Sequence, residues 1–206
     1  MEKQKFMLKI MWMLMIVFVI GVIPCGLEAK ASIVDSGTCG AVGNEENVAW
    51  TLDSDGVLTV SGQGAIRDFY DPVTVTTIES PWYQHKRKIN KIVIGEGITC
   101  IGKDAFSELQ ETELVLPTSS LKEIGERAFF ENVSLKELHL PDTVTKLGSN
   151  AFFDCSSLEE VEVPGSIKEI PCAFQFIHAK SFTAHEGVLS LETSFFTLQE
   201  YICRKH

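Results

Sequence analysis

The chain has 206 residues and a net charge of −10 at neutral pH, a balance that argues against nucleic acid or an anionic membrane surface as partner and favours basic partners, if any. Residues 1–31 carry four Lys and two Glu, so residues 32–206 hold a net −12 over 175 residues. That length suits one elongated domain.

Residues 1–31 read as a secretory signal peptide. Lys3, Lys5 and Lys9 make a positive start, Ile10 to Ile23 is an apolar run of 14 residues, and Ala29-Lys30-Ala31 supplies a small-x-small cleavage site. A membrane-spanning helix needs about 20 apolar residues. The mature chain is therefore expected to begin at Ser32, to have no membrane span, and to be secreted or held at the cell surface. Cys25 raises the question of lipidation, but Pro24 precedes it where a small residue is expected.

Residues 32–88 are expected to form an N-terminal β-hairpin capping module. Val48–Leu52 and Val57–Ser61 flank Asp53-Ser54-Asp55-Gly56, a hairpin signature with a short Gly-containing loop. The same Asp-Ser-Asp-Gly string resembles the start of a calcium loop, yet Leu58 to Val60 continue a strand and no Glu stands at the twelfth position, so a turn is the better reading. The hairpin would cover the open edge of the first repeat. Asp68 to Ser80 is polar and reads as a surface loop, and Pro81-Trp82-Tyr83 is expected to pack at the entry of the repeats. Gln84 to Lys88 is the one basic run of the mature chain and reads as a solvated face.

From Ile89 onward one pattern is repeated. Ala-Phe pairs fall at Ala105-Phe106, Ala128-Phe129, Ala151-Phe152 and Ala173-Phe174, in steps of 23, 23 and 22 residues. An apolar-x-apolar triplet precedes each pair, as Ile92/Ile94, Leu114/Leu116, Leu138/Leu140 and Val161/Val163. A second apolar doublet lies between, as Ile98/Ile101, Leu121/Ile124, Val144/Leu147 and Ile167/Ile170. Three anchors holding one period in the twenties indicate a solenoid. The triplet's period of two makes a short strand with both apolar side chains on one face. Pro117, Pro141 and Pro164 end three of these strands. Gly102, Gly125 and Gly148 follow the doublet, where either a positive φ or close packing is expected. Ala-Phe sits in a short helical or irregular turn, its Phe filling the interior between coils. A shift of 21 carries the frame onto Phe182, Ala184, Val188, Leu191 and Phe195, a degenerate last coil. Residues 89–206 are thus read as a solenoid of about five coils, each with one short parallel strand.

The pattern L-x-x-L-x-L-P-x-x-V-x-x-I-G-x-x-A-F-x-x-C-x-x-L, clearest in Leu135 to Leu158, resembles the BspA-like class of bacterial leucine-rich repeats. The segment from Ser36 to Tyr83 also resembles a module that often precedes such repeats in secreted bacterial proteins. The resemblance implies a leucine-rich-repeat solenoid, with strands on a concave sheet face and turns on the convex side. It also implies a surface or secreted protein, since relatives are surface antigens that bind extracellular matrix and plasma proteins.

The remaining residues were weighed for chemistry. Of six cysteines, Cys25 leaves with the signal, and Cys39, Cys100, Cys155, Cys172 and Cys203 remain; export permits disulfides, an odd count leaves one thiol over, and the spacing assigns no pairing. Cys155, three after Phe152, takes the repeat's own small buried position. No zinc-type spacing occurs, and no metal or cofactor is expected. The histidines are His85, His139, His178, His185 and His206, with His139 on the solvent side of a strand and His185 in a turn. Cys172 with His178 would suit a thiol nucleophile, but no third orienting group is evident. No catalytic residue is assigned and the protein is not expected to be an enzyme. Asn132-Val133-Ser134 is a sequon that matters only in a glycosylating host.

The expectation is an exported, non-enzymatic binding or adhesion protein whose sheet face meets a protein or glycan partner, such as a host extracellular protein. The alternatives are a structural spacer or assembly module without a specific ligand, or an accessory of a secreted enzyme. The candidate binding residues are the strand positions facing solvent: Val93, Glu113, Val115, Glu137, His139, Glu160, Glu162 and Thr183. Glu113, Glu137 and Glu160 are expected to stack as a ladder of like charges, which stacked strands ordinarily avoid.

Overall fold

The computed structural model describes residues 31–71 and 76–192. Residues 1–30 of the expected signal peptide (1–31), residues 72–75, and Ser194, Phe195, Cys203 and His206 lie outside the described residues. Ser32 onward forms one compact unit.

Three strands open it: β1 (Ile33–Thr38), β2 (Val48–Asp53) and β3 (Val57–Gly62). They pair as an antiparallel meander, with Trp50 opposite Val60 and Gly37 opposite Trp50. The Asp53–Gly56 turn forms because Asp53 Oδ1 accepts from the backbone N–H groups of Asp55 and Val57, at 3.0 and 2.9 Å, while Gly56 takes φ +82°. Next come β4 (Gly64–Ala65) and the small antiparallel pair β5 (Tyr70–Asp71) and β6 (Thr76–Thr77).

Each later repeat contributes a first strand from its triplet and a second from its doublet. These are β7 (Lys91–Ile94) and β8 (Ile98–Ile101), β9 (Glu113–Val115) and β10 (Glu123–Ile124), β11 (Glu137–His139) and β12 (Lys146–Leu147), β13 (Glu160–Val163) and β14 (Glu169–Ile170), and β15 (Ser181–Ala184) and β16 (Ser190–Leu191). Every pairing among these repeat strands is parallel. The fold is a leucine-rich-repeat solenoid, and each coil carries two short strands where one was expected. The strand β3 joins the same parallel ladder, with Leu58 beside Ile92 and Val60 beside Ile94.

The interior follows the anchors. Phe106, Phe129, Phe152 and Phe174 are fully buried and stack with ring centroids 5.2–5.4 Å apart and ring planes nearly parallel. Trp82 extends the stack, lying 5.1 Å from Phe106 at 12° and donating its indole N–H to the carbonyl of Ala105 at 3.0 Å. Stacked aromatic rings bury large apolar area, and the matching anchor in every coil is what lets one coil cover the next.

The far side is irregular rather than helical: the two 3-10 turns among the described residues, Glu45–Asn47 and Tyr83–His85, both precede the first Ala-Phe coil. Backbone bonds from coil to coil replace the helix. Phe106 N–H donates to Ala128 O, Phe129 to Ala151 O and Phe152 to Ala173 O, each at 2.8 Å. Asp104, Arg127 and Asn150 take φ near +55° just before each Ala-Phe, and Glu108, Glu131 and Asp154 do so just after. The left-handed residues turn alternate N–H groups toward the next coil. The repeat glycines serve the other expected purpose: a Cβ on Gly148 would fall 2.3 Å from Glu126 N, and one on Gly125 2.9 Å from Ile101 O. They allow neighbouring coils to touch backbone to backbone.

Coil two is the defective one. The position three before each triplet holds Ile89, Glu111, Leu135, Leu158 and Ala179, all buried. Glu111 thus stands where a leucine belongs. Its coil also has one extra residue between Leu116 and Leu121, and Leu114 and Leu116 are only partly buried. Hydrogen bonding of the first-strand sheet stops at β9 and restarts at β11.

Candidate functional site

The eight strand positions expected to face solvent fall on one face in register, but in two groups. In the first, Val93 stands beside Val115, and Lys91 beside Glu113. In the second, Glu137 stands beside Glu160, and His139 beside Glu162, which is beside Thr183. The break between β9 and β11 separates them.

The expected ladder of three like charges is therefore a pair. Glu113 is held by Lys91, Nζ to Oε1 2.6 Å. Elsewhere the coils also stack opposite signs, as in Lys103–Glu126, Lys146–Glu123 and Lys180–Glu159. Glu137 and Glu160 break that habit: both are exposed, adjacent in register, and without an ion pair among the described residues.

Beside them Glu162 lies between two imidazoles, His139 Nδ1 at 3.0 Å and His185 Nε2 at 2.6 Å. These hydrogen bonds, that of His139 first, hold its carboxyl below the usual carboxylate range. A depression of about 510 Å³ opens here, lined by His139, Glu160, Glu162, Thr183, His185 and Glu186 among others. The sequence reading placed His185 in a turn and left it off the face. Period two carried two residues past Thr183 would have found it.

Other candidates resolve differently. Cys172 Sγ lies 3.5 Å from Glu192 Oε2, while His178 donates from Nδ1 to the carbonyl of Ser156 at 3.2 Å, so the two do not form a nucleophile–base pair with each other. Cys39, Cys100 and Cys155 are thiols. Cys155 is fully buried as expected, donating to the carbonyl of Phe129 at 3.3 Å, and burial pushes it well above the usual thiol range. Among the described residues no group of three or more His, Cys, Asp or Glu is arranged to hold a metal ion, and no helix is long and apolar enough to cross a membrane.

A family model described as BspA type leucine rich repeat region matches residues 76–202 in six copies. The chain belongs to that family. Membership of the BspA type fixes the repeat core and is consistent with a protein-interaction module. Solved structures similar to this BspA-type chain include a leucine-rich repeat protein from Eubacterium ventriosum, at 21% identity and TM-score 0.48. The match covers 78% of this chain and 41% of that one, so the chain spans about two fifths of that protein's length. A leucine rich repeat protein of T. pallidum matches at 20% identity and TM-score 0.42, over 71% of this chain and 79% of that one. The pneumococcal vaccine antigen PcpA matches at 16% identity and TM-score 0.42, over 76% and 50%. No protein of curated function matches the chain.

Proposed function

We propose that this chain is an exported interaction module that holds a basic segment of a protein partner on the acidic half of its strand face. The observation that carries the reading is the Glu137–Glu160 pair, two exposed like charges side by side in one strand ladder, in a solenoid that pairs Glu with Lys at several other coil-to-coil contacts. Like charges directly opposite each other are destabilising by roughly 0.2–1 kcal/mol, and a partner's Lys or Arg would relieve the repulsion. Glu162 and Glu186 extend the same negative field over the depression beside it. The pattern of residues 1–31 supports export, and amino-terminal sequencing of the protein recovered from culture medium should begin at Ser32.

The binding test uses a fluorescein-labelled peptide of twelve lysines and the mature chain, measured by anisotropy across a salt series. Glu137→Gln with Glu160→Gln should weaken binding several-fold and flatten its salt dependence. Glu123→Gln with Glu126→Gln, on β10 and in the turn just after it, removes the same charge elsewhere and should have little effect. Equal weakening by both pairs would mean that net charge alone attracts the peptide, and the strand face would not be the site.

A further inference from the structure

The acidic half of the strand face contains its own titrating group. Glu162 projects from β13 beside His139 of β11 by register, and His185 returns to the same face two residues after Thr183 of β15. His139 Nδ1 lies 3.0 Å from Oε2 and His185 Nε2 lies 2.6 Å from Oε1, so each imidazole engages a different oxygen of one carboxylate. A carboxylate only accepts hydrogen bonds. Each ring nitrogen facing it must therefore carry the hydrogen. Neutral His139 is the Nδ1–H tautomer and neutral His185 the Nε2–H tautomer, and a second proton goes to His139 Nε2 and His185 Nδ1. The side chains of His139 and His185 are 59% and 50% exposed, which leaves both open to protons from solvent.

Apart from the histidines, the charged groups lining the depression and the one adjacent to it are all acidic; Lys168 Nζ, which donates to the carbonyl of Gly165, stands near Gly187 outside their lining. Facing the two rings are Glu137 on β11, Glu160 on β13 and Glu186 just beyond His185, with Asp142 in the turn after β11. No Lys or Arg lines this depression or the adjacent one that shares Glu162 and His185. The two histidines are the one source of positive charge lining either depression. With both neutral, Glu160, Glu162 and Glu186 give the larger depression a charge of −3; with both protonated it falls to −1.

We infer that His139 and His185 make this face a pH-gated site for a basic peptide segment, open near neutral pH and closed near pH 5. The inference rests on the reading that the strand face holds such a segment. The gating is competition for Glu162. A neutral imidazole's bond to the carboxylate carries charge on the acceptor alone, so a partner's ammonium or guanidinium, which adds a charged donor, can displace it. An imidazolium donates a charge-assisted bond of its own and repels the incoming cation. Histidine is the side chain whose ordinary titration falls between pH 5 and 8. If binding requires both rings neutral, affinity falls by up to about a hundredfold per pH unit once both are charged, by proton linkage.

The experiment uses the mature chain and the same twelve-lysine peptide, at pH 7.5 and 5.0 and constant ionic strength. His139→Asn and His185→Gln each keep an amide N–H placed for Glu162 and remove the titration. The wild type should lose at least about tenfold in affinity between the two pH values. The double variant, whatever its affinity at pH 7.5, should change by less than about threefold between the two pH values. An equal loss in the double variant would overturn the gating while leaving the binding face intact. If Glu137→Gln with Glu160→Gln weakens the peptide no more than its control pair at pH 7.5, the face itself is refuted and the gate falls with it.

Discussion

The carboxyl of Glu111 makes a sharp stability prediction. It fills the buried leucine position of coil two, its Oε1 accepts from Asn132 Nδ2 at 2.6 Å, and its Oε2 has no hydrogen-bond partner among the described residues. Burial pushes its pKa from 4.5 up to about 8. Below about pH 4.5 the group is protonated in the folded and unfolded chains alike and costs nothing by linkage. Between about 4.5 and 8 the unfolded chain ionises freely while the folded chain holds the proton. Stability is therefore lost as pH rises, at about 1.4 kcal/mol per unit, which makes about 3 kcal/mol between pH 5.0 and 7.5. Glu111→Gln removes the titration and keeps an acceptor for Asn132. Urea unfolding followed by the fluorescence of the buried Trp50 and Trp82 measures both proteins at the two pH values. The gap between variant and wild type should widen in the variant's favour by about 3 kcal/mol on going from pH 5.0 to 7.5. Groups common to both proteins cancel in that comparison. Parallel stability curves would refute the claim that Glu111 is a buried, proton-holding group.

Two other perturbations probe the frame. Phe152→Ala removes a ring stacked between Phe129 and Phe174 and should cost about 3–5 kcal/mol, spreading to both neighbouring coils; a loss below about 1 kcal/mol in urea unfolding would mean that the site collapses to fill the gap. Glu96 accepts from the backbone and hydroxyl groups of Thr118 and Ser119 and from the hydroxyl of Ser120, contacts that hold its carboxyl at about 2. This latch is present above the ordinary carboxylate range and is lost as pH falls through about 2, so Glu96→Gln at neutral pH should speed proteolysis within Thr118–Ser120, and an unchanged cleavage rate would refute it.

The parts of this fold that repeat were legible, because three anchors at one period predict stacked coils without any knowledge of their shape. Cys155 as core and Pro81-Trp82-Tyr83 against the first coil came from the same frame. What lay between anchors was harder to see. Ile33–Thr38 has two apolar residues, both exposed, and forms β1 by backbone pairing with β2, a signal that side-chain patterning does not carry. The coil-to-coil bonds of the turns depend on positive φ at Asp104, Arg127 and Asn150, none of them glycine. Propensity pointed to the glycines, which serve close approach. The leading leucine of the repeat pattern marks the position that Glu111 takes, but the copies are aligned on the triplets and the Ala-Phe pairs, which leaves that position uncompared. The charge ladder was overdrawn for a related reason. Equal spacing along the chain assumes that every strand pairs with the next, and the extra residue in coil two breaks that assumption.

That break bears on where a partner can sit. Between coils two and three the first-strand sheet is interrupted, yet β10 pairs with both β8 and β12, Phe129 stacks on Phe152, and Phe129 N–H reaches Ala151 O. Between coils three and four the second-strand sheet is interrupted in turn, from β12 to β14, while β11 pairs with β13 and Phe152 stacks on Phe174. The interruptions are staggered, so each junction keeps its aromatic stack, its turn-side bonds and one of its two strand ladders. A solenoid whose stability is a sum of neighbouring interfaces tolerates one weak ladder where the others hold. The strand face has no such redundancy, since it is made by the first-strand ladder alone. Its continuous part on the carboxyl side is β11–β13–β15, and that part carries Glu137, His139, Glu160 and Glu162, with His185 one residue past β15. A bound segment gains most from charges whose spacing is fixed by shared hydrogen bonds, because less ordering remains to be done on binding. The amino side of the face is also continuous, through β1–β2–β3–β7–β9, but there Glu113 is paired with Lys91; the footprint we propose is therefore centred on the carboxyl side, where Glu137 and Glu160 have no ion pair among the described residues, and Val93 and Val115 lie across the break from it.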